Sequence, residues 1–102
     1  MKKIACIIQA RSNSKRLPNK ILKKISGRTV LEILISRLKK SKKIDKIIVA
    51  TTKKKNDDLI IKIAQKNQVD YYRGNESNVL KRYYDCAKKF NLDNILRITS
   101  DC

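Results

Sequence analysis

Four short runs that read as strands, at 4–8, 46–50, 69–72 and 94–99, the first two rich in β-branched residues, constrain this chain more than any other feature. Between them, apolar residues recur at helical spacing. The first such stretch is Val30, Leu31, Leu34, Ile35 and Leu38; the second is Leu59, Ile60, Ile63 and Ala64; the third is Val79, Leu80, Tyr83, Tyr84, Ala87 and Phe90. Start signals precede each one. Thr29 with Glu32 three residues on is a capping-box pattern for a helix over 30–40. Asp57 and Asp58 suit the positive end of a second helix that fades near Asn67. Ser77 is the expected cap of the third. Strand alternating with helix four times over predicts an α/β fold, a parallel sheet with right-handed crossovers.

The first run, Ile4-Ala5-Cys6-Ile7-Ile8, reads as a strand buried on both faces. It opens onto a polar loop over residues 10–20 that carries Arg11, Lys15, Arg16 and Lys20, with Pro18 fixing the backbone near its end. Open α/β sheets bind ligands just beyond the carboxyl ends of their strands. A basic loop in that place implies a polyphosphate. The chain has two glycines, Gly27 and Gly74, so neither GxGxxG nor the Walker pattern is present. Phosphate would have to be held by backbone N–H groups of Ser12, Asn13 and Ser14 together with the side chains of Arg11 and Lys20. On composition alone, a solvated basic loop is the competing reading.

Charge is the other strong signal. Lys and Arg number 26 against 9 acids, a formal net charge of +17. Such an excess suits a nucleic-acid or anionic-membrane binder. Here, however, it is mostly lysine spread along the whole chain (Lys2, Lys23, Lys39, Lys53, Lys62, Lys88), alongside abundant Ile and Asn. That pattern follows AT-rich codon usage and forms no basic stripe with interleaved aromatics, so nucleic acid is not the expected partner. The run after Met1-Lys2-Lys3 ends at Ala10, too short for a signal or a membrane span. Cys6, Cys86 and Cys102 are far apart and there is no histidine, which disfavours a structural zinc site and fits reduced thiols in a cytoplasmic chain.

The stretch Gln9-Ala10-Arg11-Ser12-Asn13-Ser14-Lys15-Arg16-Leu17-Pro18-Asn19-Lys20 resembles the opening motif of the cytidylyltransferases that activate acidic sugars, the acylneuraminate and 3-deoxy-octulosonate enzymes. Within that family it is most similar to the branch of spore coat polysaccharide biosynthesis protein F. Three further islands agree in order: Ile48-Val49-Ala50-Thr51-Thr52, then Arg73-Gly74 with Val79-Leu80 and Arg82-Tyr83-Tyr84, then Arg97-Ile98-Thr99-Ser100-Asp101-Cys102. The resemblance implies a Rossmann-like βαβαβαβ half of a nucleotide-diphospho-sugar transferase fold. Ala10, Arg11 and Ser14 would line the nucleotide site, with Arg11 and Lys20 as the catalytic cations bracing the triphosphate. Arg73 would lie beside nucleotide or sugar, and Asp101 would hold Mg²⁺ or another divalent cation.

The implied reaction is attack of a sugar hydroxyl on the α-phosphorus of CTP with departure of pyrophosphate, for surface polysaccharide biosynthesis. Positioning and charge neutralisation would dominate such a transfer. Asn13 stands where the family usually has Gly, and Asn78 where that branch commonly has Asp. The family's domain runs to roughly twice this length, so residues 1–102 are expected to be its truncated N-terminal part. The other half would carry a second metal acid, most of the sugar pocket and the dimer contacts, which leaves a homodimer open for the full-length form. The alternatives are a non-catalytic basic module binding nucleotide or RNA, and a remnant without function.

Overall fold

A computed structural model describes residues 4–11, 22–75 and 77–99. Strand β1 (Ile4–Gln9) pairs in parallel with β4 (Ile44–Thr52) on one side and with β6 (Asn94–Thr99) on the other. Strand β5 (Asp70–Gly74) pairs in parallel with β4, giving the order β5-β4-β1-β6. The connections run through α1 (Val30–Lys39), α2 (Asp58–Lys66) and α3 (Val79–Lys89). The expected α/β sheet is therefore present. One small addition is a hairpin of β2 (Lys24–Ile25) and β3 (Arg28–Thr29), turned by Ser26 and Gly27, both at positive φ, the backbone that two-residue hairpin loops require.

Successive residues of a strand point to opposite faces, and β1 uses both. Cys6, Ile8 and Ala10 pack with Ile47 and Val49 of β4 against Leu31 and Ile35 of α1 and Ile60 and Ala64 of α2. Ile7 packs with Ile48 and Ala50 against Cys86 of α3, flanked by Tyr72, Tyr83, Ala87 and Phe90. Each fully buried Ile or Leu in these two layers contributes on the order of 1.5–3 kcal/mol by leaving water. Burial also pushes the thiols of Cys6 and Cys86 up to about 11, so both act as small apolar groups.

Helix α1 starts as its sequence dictates. The Thr29 side chain accepts from Glu32 N at 3.1 Å while Glu32 Oε1 accepts from Thr29 N at 3.2 Å. Helix α2 begins after a 3-10 turn (Lys55–Asp57), and the Asp57 side chain does not cap it.

Helix α3 departs from expectation twice. Its cap is Asn78, whose Oδ1 accepts from Lys81 N at 2.9 Å; Ser77 instead gives its N–H to Asn75 Oδ1 at 3.0 Å. An Asn75 side chain that also takes Asn78 N at 2.8 Å folds this turn around itself, moving the helix start one residue along. Its buried face is Arg82 and Cys86, whereas Leu80 and Tyr84 are 66% and 65% exposed. The helix covers the sheet with one narrow stripe, so half of its apolar residues face outward.

Candidate active site

At the carboxyl edge of the sheet, the β1–β4 ladder continues one residue beyond β1. Gln9 lies opposite Ala50, and Ala10 N donates to Ala50 O at 3.0 Å. Ala10 is buried, 1% exposed, in the same core layer as Leu31 and Val49. Arg11 follows immediately, half-buried at the strand exit. The loop that the sequence singles out thus leaves from a backbone clamped on both sides.

Strand β4 ends in two buried threonines. The Thr52 hydroxyl donates to the Asp57 carboxylate, and its oxygen accepts from Lys54 N at 3.2 Å. Thr51 is wholly buried, and its hydroxyl has no partner among the described residues. Arg73, near the end of β5, ties this exit down: Nε donates to Thr52 O at 2.8 Å, Nη1 to Asp58 Oδ1 at 2.7 Å and Nη2 to Lys54 O at 2.6 Å. All three guanidinium nitrogens are engaged within the protein, which makes Arg73 a brace for residues 52–58.

A second arginine does the same from the opposite face. Arg82 of α3 is 2% exposed and donates from Nε to Gln9 Oε1 at 2.9 Å and from Nη1 to Asn75 O at 2.9 Å. Burial, and next the charge of Arg11, hold its guanidinium below its ordinary range, while Asp57 pulls the other way. Gly74 gives its stem passage: a Cβ there would lie 2.9 Å from Arg82 Cγ and 2.7 Å from the Tyr72 ring.

Three of the residues singled out from the sequence, Ala10, Arg11 and Arg73, thus come to one edge of the sheet. Ser12, Asn13, Ser14, Lys20 and Asp101 lie outside the described residues. Sequence reasoning passed over Arg82, Gln9, Thr52 and Asp57 as parts of this edge. The available signal was an arginine four residues before Cys86, in line with a buried stripe. Among the described residues, no three Cys, Asp or Glu side chains gather to hold a metal ion. Several aromatic faces are taken by the protein's own cations: Lys89 lies over Tyr72, Lys46 over Phe90 and Arg97 over Tyr83. Among the described residues, no helix is long and apolar enough to cross a membrane.

A parallel four-stranded sheet flanked by helices, with cations and buried polar groups gathered at its carboxyl edge, defines a Rossmann-like α/β protein. Residues 5–102 match the family model described as cytidylyltransferase, and the chain belongs to that family. It is 54% identical over 99 residues to the uncharacterised protein MJ1063 of Methanocaldococcus jannaschii, covering 97% of this chain and 41% of that protein. It is 34% identical over 105 residues to the spore coat polysaccharide biosynthesis protein SpsF of Bacillus subtilis, covering 99% of this chain and 44% of that one. The solved structure of a cytidylyltransferase from Leptospira borgpetersenii superposes with a TM-score of 0.93 at 41% identity, over 100% of this chain and 43% of that chain. The chain therefore spans less than half the length of these relatives.

Proposed function

We propose that this chain forms the nucleotide-holding part of a cytidylyltransferase that transfers CMP from CTP to an acidic or related sugar for surface polysaccharide biosynthesis in the cytoplasm. The observation that carries the reading is the exit of β1, where Ala10 is locked to Ala50 and Arg11 stands at the mouth of the basic loop, in a chain of this family. In this reading the sugar hydroxyl attacks the α-phosphorus and pyrophosphate leaves. Arg11 and Lys20 neutralise the triphosphate, while Ala10 and the N–H groups of Ser12, Asn13 and Ser14 line the nucleotide.

Arg73 shapes the neighbouring wall by holding residues 52–58 in place. The described residues do not themselves build a cation site. Mg²⁺ at Asp101 rests on the resemblance, and one carboxylate needs further oxygen ligands to fix that ion. The sugar pocket and any homodimer contact belong to the remaining length of the relatives. Titration calorimetry of the chain with CTP and with ATP, in Mg²⁺, tests the reading. CTP should bind and ATP should bind more weakly; equal affinity, or no binding of CTP, refutes it.

A further inference from the structure

Arg82 is a charged side chain in the core, and its surroundings are unusual. Buried guanidinium groups are ordinarily matched by a carboxylate, because an ion taken out of water without an opposing ion is left with an uncompensated cost. None of the ion pairs among the described residues includes Arg82. Its acceptors are two neutral oxygens, Gln9 Oε1 and the backbone carbonyl of Asn75. A guanidinium has five N–H groups, and those two bonds employ two of them.

The two acceptors are placed informatively. Gln9 is the last residue of β1, directly before Ala10 and Arg11; Asn75 directly follows β5. Arg82 thus crosses beneath β4 and fastens one strand exit to another, and Gly74 lacks the Cβ that would obstruct its stem. Arg11 lies near enough for its charge to act on Arg82. The carboxylate on the other side of the balance, Asp57, is buried and engaged by the Thr52 hydroxyl. Two cations crowded at one edge repel each other, and an anion seated beside them relieves both the repulsion and the burial cost.

We infer that Arg82 is the buried cation of the phosphate site: it locks the exit of β1 to that of β5 and gives this edge, alongside Arg11, the positive charge that a phosphate group of the nucleotide neutralises. A planar fork serves this double task where a lysine ammonium, a point charge, does not. The inference rests on the nucleotide-binding reading above but concerns the phosphate end alone.

Inorganic tripolyphosphate is therefore the probe, titrated against the chain at ionic strength matched with NaCl, so that non-specific attraction to a +17 surface is held constant. The wild type and Lys62→Met, a change on the exposed face of α2, should bind alike. Arg82→Lys should weaken binding by roughly tenfold or more, the scale of a lost charge-assisted contact. Arg82→Met should weaken it further. In the wild type, the ¹⁵N-detected Nε–H signal of Arg82 should move on addition of tripolyphosphate, a readout that does not depend on any variant folding. An unmoved signal, or unchanged affinity in a folded Arg82→Lys chain, overturns the inference. Tripolyphosphate bound through Arg82 without preference for CTP over ATP would sink the cytidylyltransferase reading and leave this one standing. CTP preferred with the Arg82 signal unmoved would do the reverse.

Discussion

Gly74→Ala isolates the packing on which this edge depends. Gly74 sits in β5, outside the positive-φ region, so an alanine backbone is unstrained there and the whole cost is steric. The added methyl would lie 2.7 Å from Tyr72 Cε2, 2.9 Å from Arg82 Cγ and 3.5 Å from Arg82 Cα. The tyrosine ring is half-buried and can swing. Arg82 Cγ cannot move far, because the guanidinium beyond it is held by Gln9 and Asn75 and the backbone behind it belongs to α3. Overpacking of this kind costs about 1–3 kcal/mol, reduced by a few tenths through the lower chain entropy of unfolded alanine. We expect a loss of about 2 kcal/mol in urea unfolding, and a Tm lower by roughly 10 °C for a domain of this size.

Arg82 should shift with it, so phosphate binding weakens in the same variant. Gly27→Ala is the useful contrast. Nothing lies within 4 Å of its added methyl, but φ is +83°, so about 1 kcal/mol is lost to backbone strain and phosphate binding is untouched. A Gly74→Ala chain within about 0.5 kcal/mol of wild type would refute the account of Arg82 as a wedged, fixed side chain, because overpacking should cost more.

Thr29→Ala should cost about 1 kcal/mol by removing the α1 cap. The Glu32 carboxyl is held below the usual carboxylate range, chiefly by the backbone N–H of Thr29. A depressed carboxyl adds stability that is present above its ordinary value of 4.5 and lost as pH falls through the folded value, so acid unfolding curves of a Glu32→Gln chain, which lacks the titrating group, should be flatter below pH 4.5. In a Cys102→Ser chain, iodoacetamide at pH 8 should label no thiol in the native state and two in urea. Because the Cys6 and Cys86 thiols titrate at about 11 when folded and 9.0 ordinarily, stability should also fall as pH rises from 9 towards 11. Arg73→Lys should cost about 2 kcal/mol and raise hydrogen exchange across residues 52–58, since an ammonium cannot reproduce three directed bonds. Unchanged exchange there would count against the brace.

Much of the architecture was legible because each signal was local. Thr29 and Glu32 announced α1, the β-branched runs at Ile4 and Ile47 announced the two central strands, and the alternation between strands and helices imposed a parallel sheet. The α3 face was misread because periodicity counts apolar residues and two adjacent columns of α3 carry them. Val79, Leu80 and Tyr84 fitted the period yet face outward, while a charged residue, Arg82, took the buried place. The oxygens of Gln9, distant in sequence, and of Asn75, one turn before the helix, together with the Asp57 charge, make that place tolerable. The same holds for Asp57, which read as a helix-end charge and is buried against Thr52. Buried polar side chains are chosen by their hydrogen-bond partners, which a count of apolar residues does not show.

Among the described residues, the strand order places the first strand of the sheet, β1, beside β6. Ile4 pairs with Asn94, ninety positions away, while β1's other neighbour begins at Ile44. During synthesis at roughly 5–20 residues per second, one side of β1 has no native partner for about 5–20 s after β1 itself is made. Pairing across such a span also carries the largest loop-closure entropy in the sheet, so it belongs among the last events of folding. The hydrophobic run that anchors the candidate site is thus, for that interval, an open template for another copy of itself. Its exposure time is set by translation rather than by stability.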